Sequence, residues 1–284
     1  MEGRARAPGA GTILNALATG VGSAFAIEQY THAHVSLSSD SAVQGTIAGA
    51  PDADTRLIER CVELVVERFG DDEGGEVRTE SDLPMAGGLK SSSAAANATV
   101  LATMSALGVA DQVDREEAAR MGVTAARDAG VTVTGAFDDA SASMLGGITI
   151  TDNTCDELRQ RARRDWHVLV WIPPERAYSA DADLDRCRRL ASLADLVAEL
   201  ALDGAYTRAM TVNGLAFCAA LKFDAEPMLE AMPDAAGVSL SGTGPSFIAV
   251  GDRDALASVK VSWDERAGQT VLTTTQTEGA TIDE

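Results

Sequence analysis

A loop rich in glycine leads directly into an alanine-rich segment with helical composition. The stretch reads Leu83-Pro84-Met85-Ala86-Gly87-Gly88-Leu89-Lys90-Ser91-Ser92-Ser93-Ala94-Ala95-Ala96-Asn97. The first N–H groups of a helix have no intrahelical acceptor, and the aligned peptide dipoles leave partial positive charge there. The stretch therefore predicts an anion site that suits phosphate. Lys90 adds a positive charge, and the three serines offer oxygens for phosphate or for a divalent ion.

Two simpler interpretations compete with a phosphate site. Serine is a favoured helix cap, so Ser91, Ser92 and Ser93 could merely begin a buried helix. The best-known phosphate loop, G-x-x-x-x-G-K-[ST], does not fit, because Pro84 and Leu89 stand where its glycines would be. A nucleotide bound here would thus be bound by a different fold from that of the P-loop NTPases.

Composition limits the possible partners. The chain has 284 residues, of which 45% are hydrophobic, and a formal charge of −20. That charge argues against DNA or RNA as a partner, because their phosphates would be repelled. No apolar run is long enough for a membrane span, and the first residues do not resemble a signal peptide, so we expect a cytoplasmic protein. The four cysteines have no C-x-x-C spacing and predict neither a zinc site nor a redox pair.

The charged residues are unusually distributed. Only Lys90, Lys222 and Lys260 are lysines among 23 basic residues, against 43 carboxylates. Such acidic, lysine-poor composition is typical of proteins from salt-loving archaea, in which concentrated salt screens the repulsion between surface carboxylates. Because lysine is so rare, Lys90 beside a phosphate-type loop is hard to interpret as an ordinary surface charge.

Periodicity predicts a chain of mixed helices and strands. Strands are predicted over Gly22 to Val35, Ser36 to Ile47, Val77 to Thr79, Ile148 to Thr151 and Trp166 to Ile172. Helices are predicted over Thr55 to Phe69, Ser92 to Leu107, Arg115 to Ala129, Ala191 to Leu202, Tyr206 to Leu221 and Pro227 to Met232. The segment Ala7 to Gly20 is predicted to contain a second ligand loop. The polar tail, Thr273 to Glu284, is predicted to fray.

A pair of carboxylates is the second chemical candidate. Asp138 and Asp139 lie in the glycine-flanked, otherwise apolar stretch Val131 to Gly147. In isolation such a pair most often caps a helix. Together with a phosphate loop it suggests a kinase, which needs groups that hold Mg²⁺ and a carboxylate that receives the proton of the acceptor hydroxyl.

Three segments in this order resemble the motifs of the GHMP small-molecule kinases. They are Pro8-Gly9-Ala10-Gly11, the loop from Pro84 to Ala94, and Ser241-Gly242-Thr243-Gly244-Pro245-Ser246. Within that family the strings Gly88 to Ala98 and Thr134 to Ala140 are most similar to those of the archaeal shikimate kinase branch. That branch has lysine at the position of Lys90, where most GHMP kinases have glycine.

The resemblance implies an α+β fold with two domains. The N-terminal domain, 1–150, would contain a left-handed βαβ crossover and the ATP loop, and the C-terminal domain, 151–284, would be ferredoxin-like. The active site would lie between them. Pattern alone could not supply the crossover, since it violates the usual right-handed preference.

The resemblance also implies the reaction, with ATP and shikimate as substrates and shikimate 3-phosphate as product, a step towards chorismate and the aromatic amino acids. Asp138 matches the catalytic aspartate of the family. We expect Ser92 to bind Mg²⁺ and Asp128 to be a second ligand, although a surface charge at a helix end would explain Asp128 equally well. The expected ATP-binding residues are Pro84, Met85, Ala86, Gly87, Gly88, Leu89, Lys90, Ser91, Ser92, Ser93 and Ala94. Those expected at the substrate are Thr12, Asn15, Gly242, Thr243 and Gly244.

Two other functions stay open at this point. Another GHMP kinase, of the homoserine or mevalonate type, would share the ATP side and differ only in its acceptor. A non-catalytic ligand sensor of the same fold would be expected to lose the carboxylate or the serines. Asp138 and the serines from Ser91 to Ser93 are present, which favours an enzyme.

Overall fold

The computed structural model describes residues 1–39, 42–83, 87–132, 134–175 and 182–283. Its strands are β1 (Glu2–Leu14), β2 (Val21–Ser38), β3 (Val43–Ile47), β4 (Gly74–Ser81), β5 (Ile148–Asp152), β6 (Glu157–Ala162), β7 (His167–Ile172), β8 (Gly237–Leu240), β9 (Phe247–Gly251), β10 (Gln269–Thr274) and β11 (Thr281–Asp283). Its helices are α1 (Arg56–Phe69), α2 (Ser91–Leu107), α3 (Arg115–Asp128), α4 (Phe137–Leu145), α5 (Leu184–Arg188), α6 (Ala191–Leu202), α7 (Tyr206–Leu221), α8 (Glu226–Ala231) and α9 (Arg253–Asp264). Across these ranges no helix combines the length and the apolar character needed to cross a membrane.

The larger sheet is organised around the long strand β2. Its strand order is β11-β1-β2-β4-β3, and β5 also pairs with β2 and continues to β6. The second half of β2 pairs with β4, whereas Val21 to Phe25 pair with β5. β3 and β4 are parallel and are connected through α1, so they form the βαβ unit. Its left-handedness stays an expectation from the resemblance.

Helix α2 packs closely against this sheet because its residues are small. It is buried along Ala96 to Met104 and lies against β1, β2 and α1. A Cβ atom added to Gly3 in β1 would lie 2.0 Å from the carbonyl oxygen of Ala102. Strand and helix thus approach more closely than a side chain at Gly3 would allow.

The smaller sheet has the strand order β10-β7-β9-β8, and the pairs β10–β7, β7–β9 and β9–β8 are antiparallel. Along the chain its strands follow the sequence β7, helices α5 to α8, β8, β9, α9 and β10. This is the ferredoxin-like βαββαβ arrangement, and the prediction for the C-terminal part is confirmed. The boundary predicted after residue 150 falls within β5, whose partner β6 belongs to the larger sheet. The division into two domains stays a prediction.

Most of the periodic segments are confirmed, but the prediction of antiparallel strands over Gly22 to Val35 and Ser36 to Ile47 is wrong. β2 continues to Ser38, and β3 begins at Val43 and pairs with β4 in parallel. The helices predicted over Ala191 to Leu202 and Tyr206 to Leu221 have the same bounds in the structure. Helix α4 was not predicted, because Asp138 and Asp139 occupy its first turn and the glycines around it indicate turns. The pattern missed it because aspartate and glycine both have low intrinsic helix propensity.

Both ends of the chain contain strands that the sequence pattern did not predict, and the prediction that the tail frays is wrong. Within Ala7 to Gly20, Pro8-Gly9-Ala10-Gly11 lies in strand β1, where a shift in the register with β2 between Pro8 and Ala10 accommodates the proline. The turn of this segment follows at residues 16–20. The polar tail does not fray: β11 pairs with β1, and Gln276 and Ala280 are buried. A polar segment becomes ordered when the edge of a sheet supplies partners for its backbone.

We expect Gly3→Ala to destabilise the fold, because the added methyl group would collide with the backbone of α2. The loss in the free energy of unfolding should be about 1–3 kcal/mol, measured by urea titration. Glu2→Ala, at the exposed neighbouring position, is the control and should change the value little. A Gly3→Ala protein as stable as the parent would show that β1 and α2 can separate.

Candidate active site

The glycine-rich loop leads directly into helix α2, as predicted. Lys90 is the N-cap residue and adopts the left-handed conformation, with φ 65°, and α2 starts at Ser91. Gly88 also has a positive φ, 78°, and a Cβ atom there would lie 2.4 Å from the carbonyl oxygen of Ser241. The hydroxyl of Ser241 donates to the carbonyl oxygen of Gly88 at 2.8 Å. Pro84, Met85 and Ala86, three of the predicted ATP-binding residues, lie outside the described residues.

The first turn of α2 is open to a ligand. The N–H of Ala94 is the first to bond within the helix, donating to the carbonyl oxygen of Lys90 at 3.0 Å. The preceding N–H groups, from Ser91 to Ser93, are those that a helix leaves without intrahelical acceptors. Ser92 is exposed and its two serine neighbours are half-buried. The arrangement fits the predicted anion site.

Asp138 lies in the first turn of α4 and is held by Asn153, which follows β5. The amide nitrogen of Asn153 donates to Oδ1 of Asp138 at 2.7 Å, and the backbone N–H of Asp138 donates to Oδ1 of Asn153 at 3.1 Å. Thr151 donates to the same Asn153 oxygen at 2.7 Å. On the other side Gly22 leaves room for the carboxylate, since a Cβ atom there would lie 2.4 Å from Oδ2 of Asp138. Asp138 therefore has a fixed orientation.

The environment of Asp138 makes it a stronger base than an exposed aspartate. The side chain is 4% exposed. Burial is the main cause that raises the pKa of Asp138 to about 7, and the charge of Asp139 raises it further. The charge of Lys90 and the hydrogen bond from Asn153 act in the opposite direction. A carboxylate of this pKa can accept a proton from a hydroxyl group near neutral pH.

Lys90 does not extend into solvent from the phosphate loop. Its Nζ lies 2.8 Å from Oδ1 of Asp139, and the two side chains are 9% and 14% exposed. A Cβ atom on Gly242 would lie 2.9 Å from the same Nζ. The ammonium group is therefore enclosed between the acid pair and the third motif.

These elements enclose a small cavity of about 60 Å³. Asp138, Asp139, Lys90 and a set of small and polar residues line it. These other lining residues are Asn15, Ala16, Leu17, Thr132, Thr134, Ala136, Gly242 and Thr243. The structure thus brings together residues from the phosphate loop, the third motif and the Asp-Asp segment, together with Asn15, Ala16 and Leu17 from the segment that follows the first motif.

Thr12 and Asn15 hold the third motif in place. The N–H of Gly242 donates to the hydroxyl of Thr12 at 2.8 Å, and the side-chain amide of Asn15 donates to the carbonyl oxygen of Gly242 at 2.9 Å. The backbone N–H of Asn15 donates to Oδ1 of Asn213 in α7 at 2.9 Å. Thr12 is only 1% exposed. The two residues predicted at the substrate thus contact the neighbouring backbone, and Asn15 alone of the pair lines the cavity.

Asp128 is not brought to the cavity. Its carboxylate lies 2.8 Å from Nε of Arg60 in α1, in an ion pair on the surface. No group of three or more potential metal ligands among His, Cys, Asp and Glu occurs in the described ranges. Asp128 lies at the end of α3, as in the alternative interpretation that it is a surface charge at a helix end.

Asn153 is a site residue that the sequence analysis missed. It follows a β-strand in the sequence Ile150-Thr151-Asp152-Asn153, where asparagine usually indicates a turn. Thr132 and Thr134 were likewise not predicted. Both lie within the stretch Val131 to Gly147 around the Asp-Asp pair, which could have suggested them, and the fold brings them to the cavity that Asp138 lines.

Comparison with known proteins places this site in a family. The sequence model of the GHMP kinases N terminal domain matches residues 56–147. A shikimate kinase of Halobacterium salinarum is 65% identical over 281 residues, which cover 99% of each chain. A shikimate kinase of Methanosarcina mazei is 51% identical, over 99% of this chain and 96% of the relative.

Solved structures support the same fold at much lower identity. Homoserine kinase from Cytophaga hutchinsonii matches with a TM-score of 0.78 at 18% identity, over 99% of this chain and 97% of that chain. Methanococcus jannaschii mevalonate kinase matches with a TM-score of 0.75 at 12% identity, over 97% of both chains. The fold and site define a GHMP-type small-molecule kinase. The full-length matches are more specific: the chain belongs to the family of shikimate kinases found in these archaea.

We expect Asn153→Ala to destabilise the protein by about 2 kcal/mol, because the mutation removes the side chain that holds the buried carboxylate of Asp138. The free energy of unfolding from urea titration measures the effect. Thr154→Ala, at an exposed position in the same turn, is the control. If both variants lose the same stability, the turn as a whole and not the contact with Asp138 is responsible.

Proposed function

We propose that the protein transfers the γ-phosphoryl group of ATP to the 3-hydroxyl of shikimate, giving shikimate 3-phosphate and ADP. The observation that carries the proposal is the buried, oriented carboxylate of Asp138 in one cavity with Lys90 of the phosphate loop. The names of the full-length relatives support shikimate as the acceptor. A cytoplasmic location agrees with a reaction that uses ATP.

ATP would bind at the beginning of α2. The N–H groups of the first turn and the loop from Gly87 to Ser93 would receive the phosphates. Ser92 is exposed there, so its hydroxyl suits a Mg²⁺ ion held mainly by phosphate oxygens, whereas Asp128 is engaged by Arg60. Such an ion, when bound, neutralises charge on the phosphates.

Asp138 would act as the general base. Its carboxylate orients the acceptor hydroxyl and receives the proton as the O–H bond breaks, while the oxygen attacks the γ-phosphorus and ADP leaves. Asn153 keeps the carboxylate directed at the cavity. The N–H groups of the α2 turn stabilise negative charge on the phosphoryl group during its transfer.

The cavity has the chemistry for an acceptor with several hydroxyls. Thr132, Thr134, Thr243 and Asn15 line it beside Asp138. Thr12 would act on the acceptor through Gly242, whose backbone it holds. Gly244 would allow the third motif to close on the phosphate site. Because Asp138 and Gly242 come from the predicted parts 1–150 and 151–284, we infer that the site lies between two domains.

The rate should depend on pH in the direction set by the pKa of Asp138. A base must be deprotonated to act, and its pKa is raised to about 7, so kcat/KM should increase as the pH rises through about 7 and level off above it. In Asp139→Asn the increase should begin at lower pH, because the charge of Asp139 raises the pKa of Asp138. A steady-state pH profile of both proteins measures this. An identical profile in the two proteins would contradict the assignment of the base.

The acceptor is tested by a coupled assay of ADP release at high KCl with Mg-ATP, in which shikimate, homoserine and mevalonate are offered in parallel. We expect turnover with shikimate alone and a loss of about 100-fold or more in Asp138→Asn. Turnover with another acceptor would support the assignment as a kinase and reject shikimate as its acceptor. No turnover with any of them would favour a ligand sensor.

A further inference from the structure

The ion pair between Lys90 and Asp139 is not explained by binding of phosphate. Lys90 follows the glycines of the phosphate loop, yet its Nζ lies against a carboxylate of α4 at 2.8 Å. Among the residues that line the cavity, Asp138 and Asp139 are acidic, and Lys90 is the basic residue in this part of the described chain. One ammonium group thus faces two carboxylates.

The backbone at Lys90 supports a specific role for its side chain. Lys90 has φ 65° and ψ 30°, a conformation that glycine adopts without steric cost and that lysine adopts with strain. The loop would therefore form more easily with glycine. Retaining lysine here costs stability, so its side chain must contribute something that glycine cannot.

We propose that Lys90 is a positioning residue on the acceptor side of the site: its ion pair with Asp139 holds the first turn of α4, and Asp138 with it, against the beginning of α2. This inference rests on the proposed function, since it assigns a role within the same transfer reaction. Asp139 is the partner through which Lys90 acts. The side chain of Lys90 does not contact the proton of the acceptor hydroxyl. While its ion pair with Asp139 persists, it does not contact the phosphates either.

Burial explains why the pair should persist when ATP binds. Both side chains are largely inaccessible, and Gly242 lies against the ammonium group. If Lys90 turned to the triphosphate, Asp139 would be left as an unpaired, buried charge beside Asp138. That loss would oppose binding of ATP, whereas the open first turn of α2 can bind phosphate without it.

Charge supports the same conclusion. Asp138 and Asp139 are adjacent carboxylates, and their repulsion would push the two side chains apart, because both are largely shielded from solvent. Lys90 lies at one of them and its charge acts on the other in the stabilising direction. Asn153 holds Asp138 from the opposite side. Two fixed contacts thus define the position of the first turn of α4.

The test is a double-mutant cycle of Lys90→Met, Asp139→Asn and the combined variant. We expect Lys90→Met to lower kcat about 10-fold or more with little change in KM for ATP, and Asp139→Asn in that background to restore part of the loss. The melting temperature should follow the same order, because the double variant no longer buries an unpaired carboxylate. Lys90→Arg should retain more activity than Lys90→Met.

Binding of a non-hydrolysable ATP analogue, measured by calorimetry, gives a result that does not depend on the acceptor. The dissociation constant should change less than about 3-fold in Lys90→Met. A large increase in this constant that Asp139→Asn does not reverse would overturn the proposal and assign Lys90 to the phosphates. Failure of the parent protein to phosphorylate shikimate would reject the proposed function alone, since the analogue and melting data still test the ion pair.

A matched control is available on the surface. Lys260 and Asp264 form an exposed pair one helical turn apart in α9. The corresponding cycle of Lys260→Met and Asp264→Asn should show little coupling, since exposed ion pairs contribute little. Equal coupling in the two cycles would show that the Lys90 pair behaves as an ordinary surface pair and would overturn the proposal.

Discussion

The arrangement of the site depends on the two hydrogen bonds that hold the backbone of Gly242. Thr12 accepts from its N–H, and Asn15 donates to its carbonyl oxygen. The end of β1, in the larger sheet, is thereby joined to the turn between β8 and β9 of the smaller sheet. Ser241 makes a third connection, to Gly88 of the phosphate loop. Because these groups are buried, their bonds are protected from competition by water, and the elements that carry the acid pair, the phosphate loop and the third motif meet at one place.

Burial also gives the site its chemical character. An aspartate in water is too weak a base to be of much use towards a hydroxyl group, and desolvation changes that. The same burial creates a cost, because a charged carboxylate needs partners. Asn153 supplies hydrogen bonds and Lys90 supplies a charge. Burial raises the pKa of Asp138, and its contacts fix the orientation of the carboxylate. Both follow from the close packing of α4 between β2 and the loop after β5.

The sequence predicted well those parts that depend on local pattern. The periodicity of α6 and α7 and the serine and alanine run of α2 are local signals, and each is confirmed as a helix. The placement of Pro8 to Gly11 in a strand could not be predicted, because pairing with β2 overrides the turn tendency of proline and glycine. Asn153 illustrates the same limit for the site. Its role arises from a contact with Asp138, 15 positions away, and no local pattern distinguishes such an asparagine from one in a turn.

The pairing of β11 with β1 has a consequence for the order in which the protein can form. Strand β1 lies at the beginning of the chain and receives its outer partner from residues 281–283. During synthesis the larger sheet must therefore wait, with one edge of β1 uncovered, until the helices and strands of the smaller sheet have left the ribosome. An uncovered edge can pair with other chains. The three residues of β11 can thus pair only after the smaller sheet has been synthesised, and they then cover Arg4, Ala5 and Arg6 at the edge of β1.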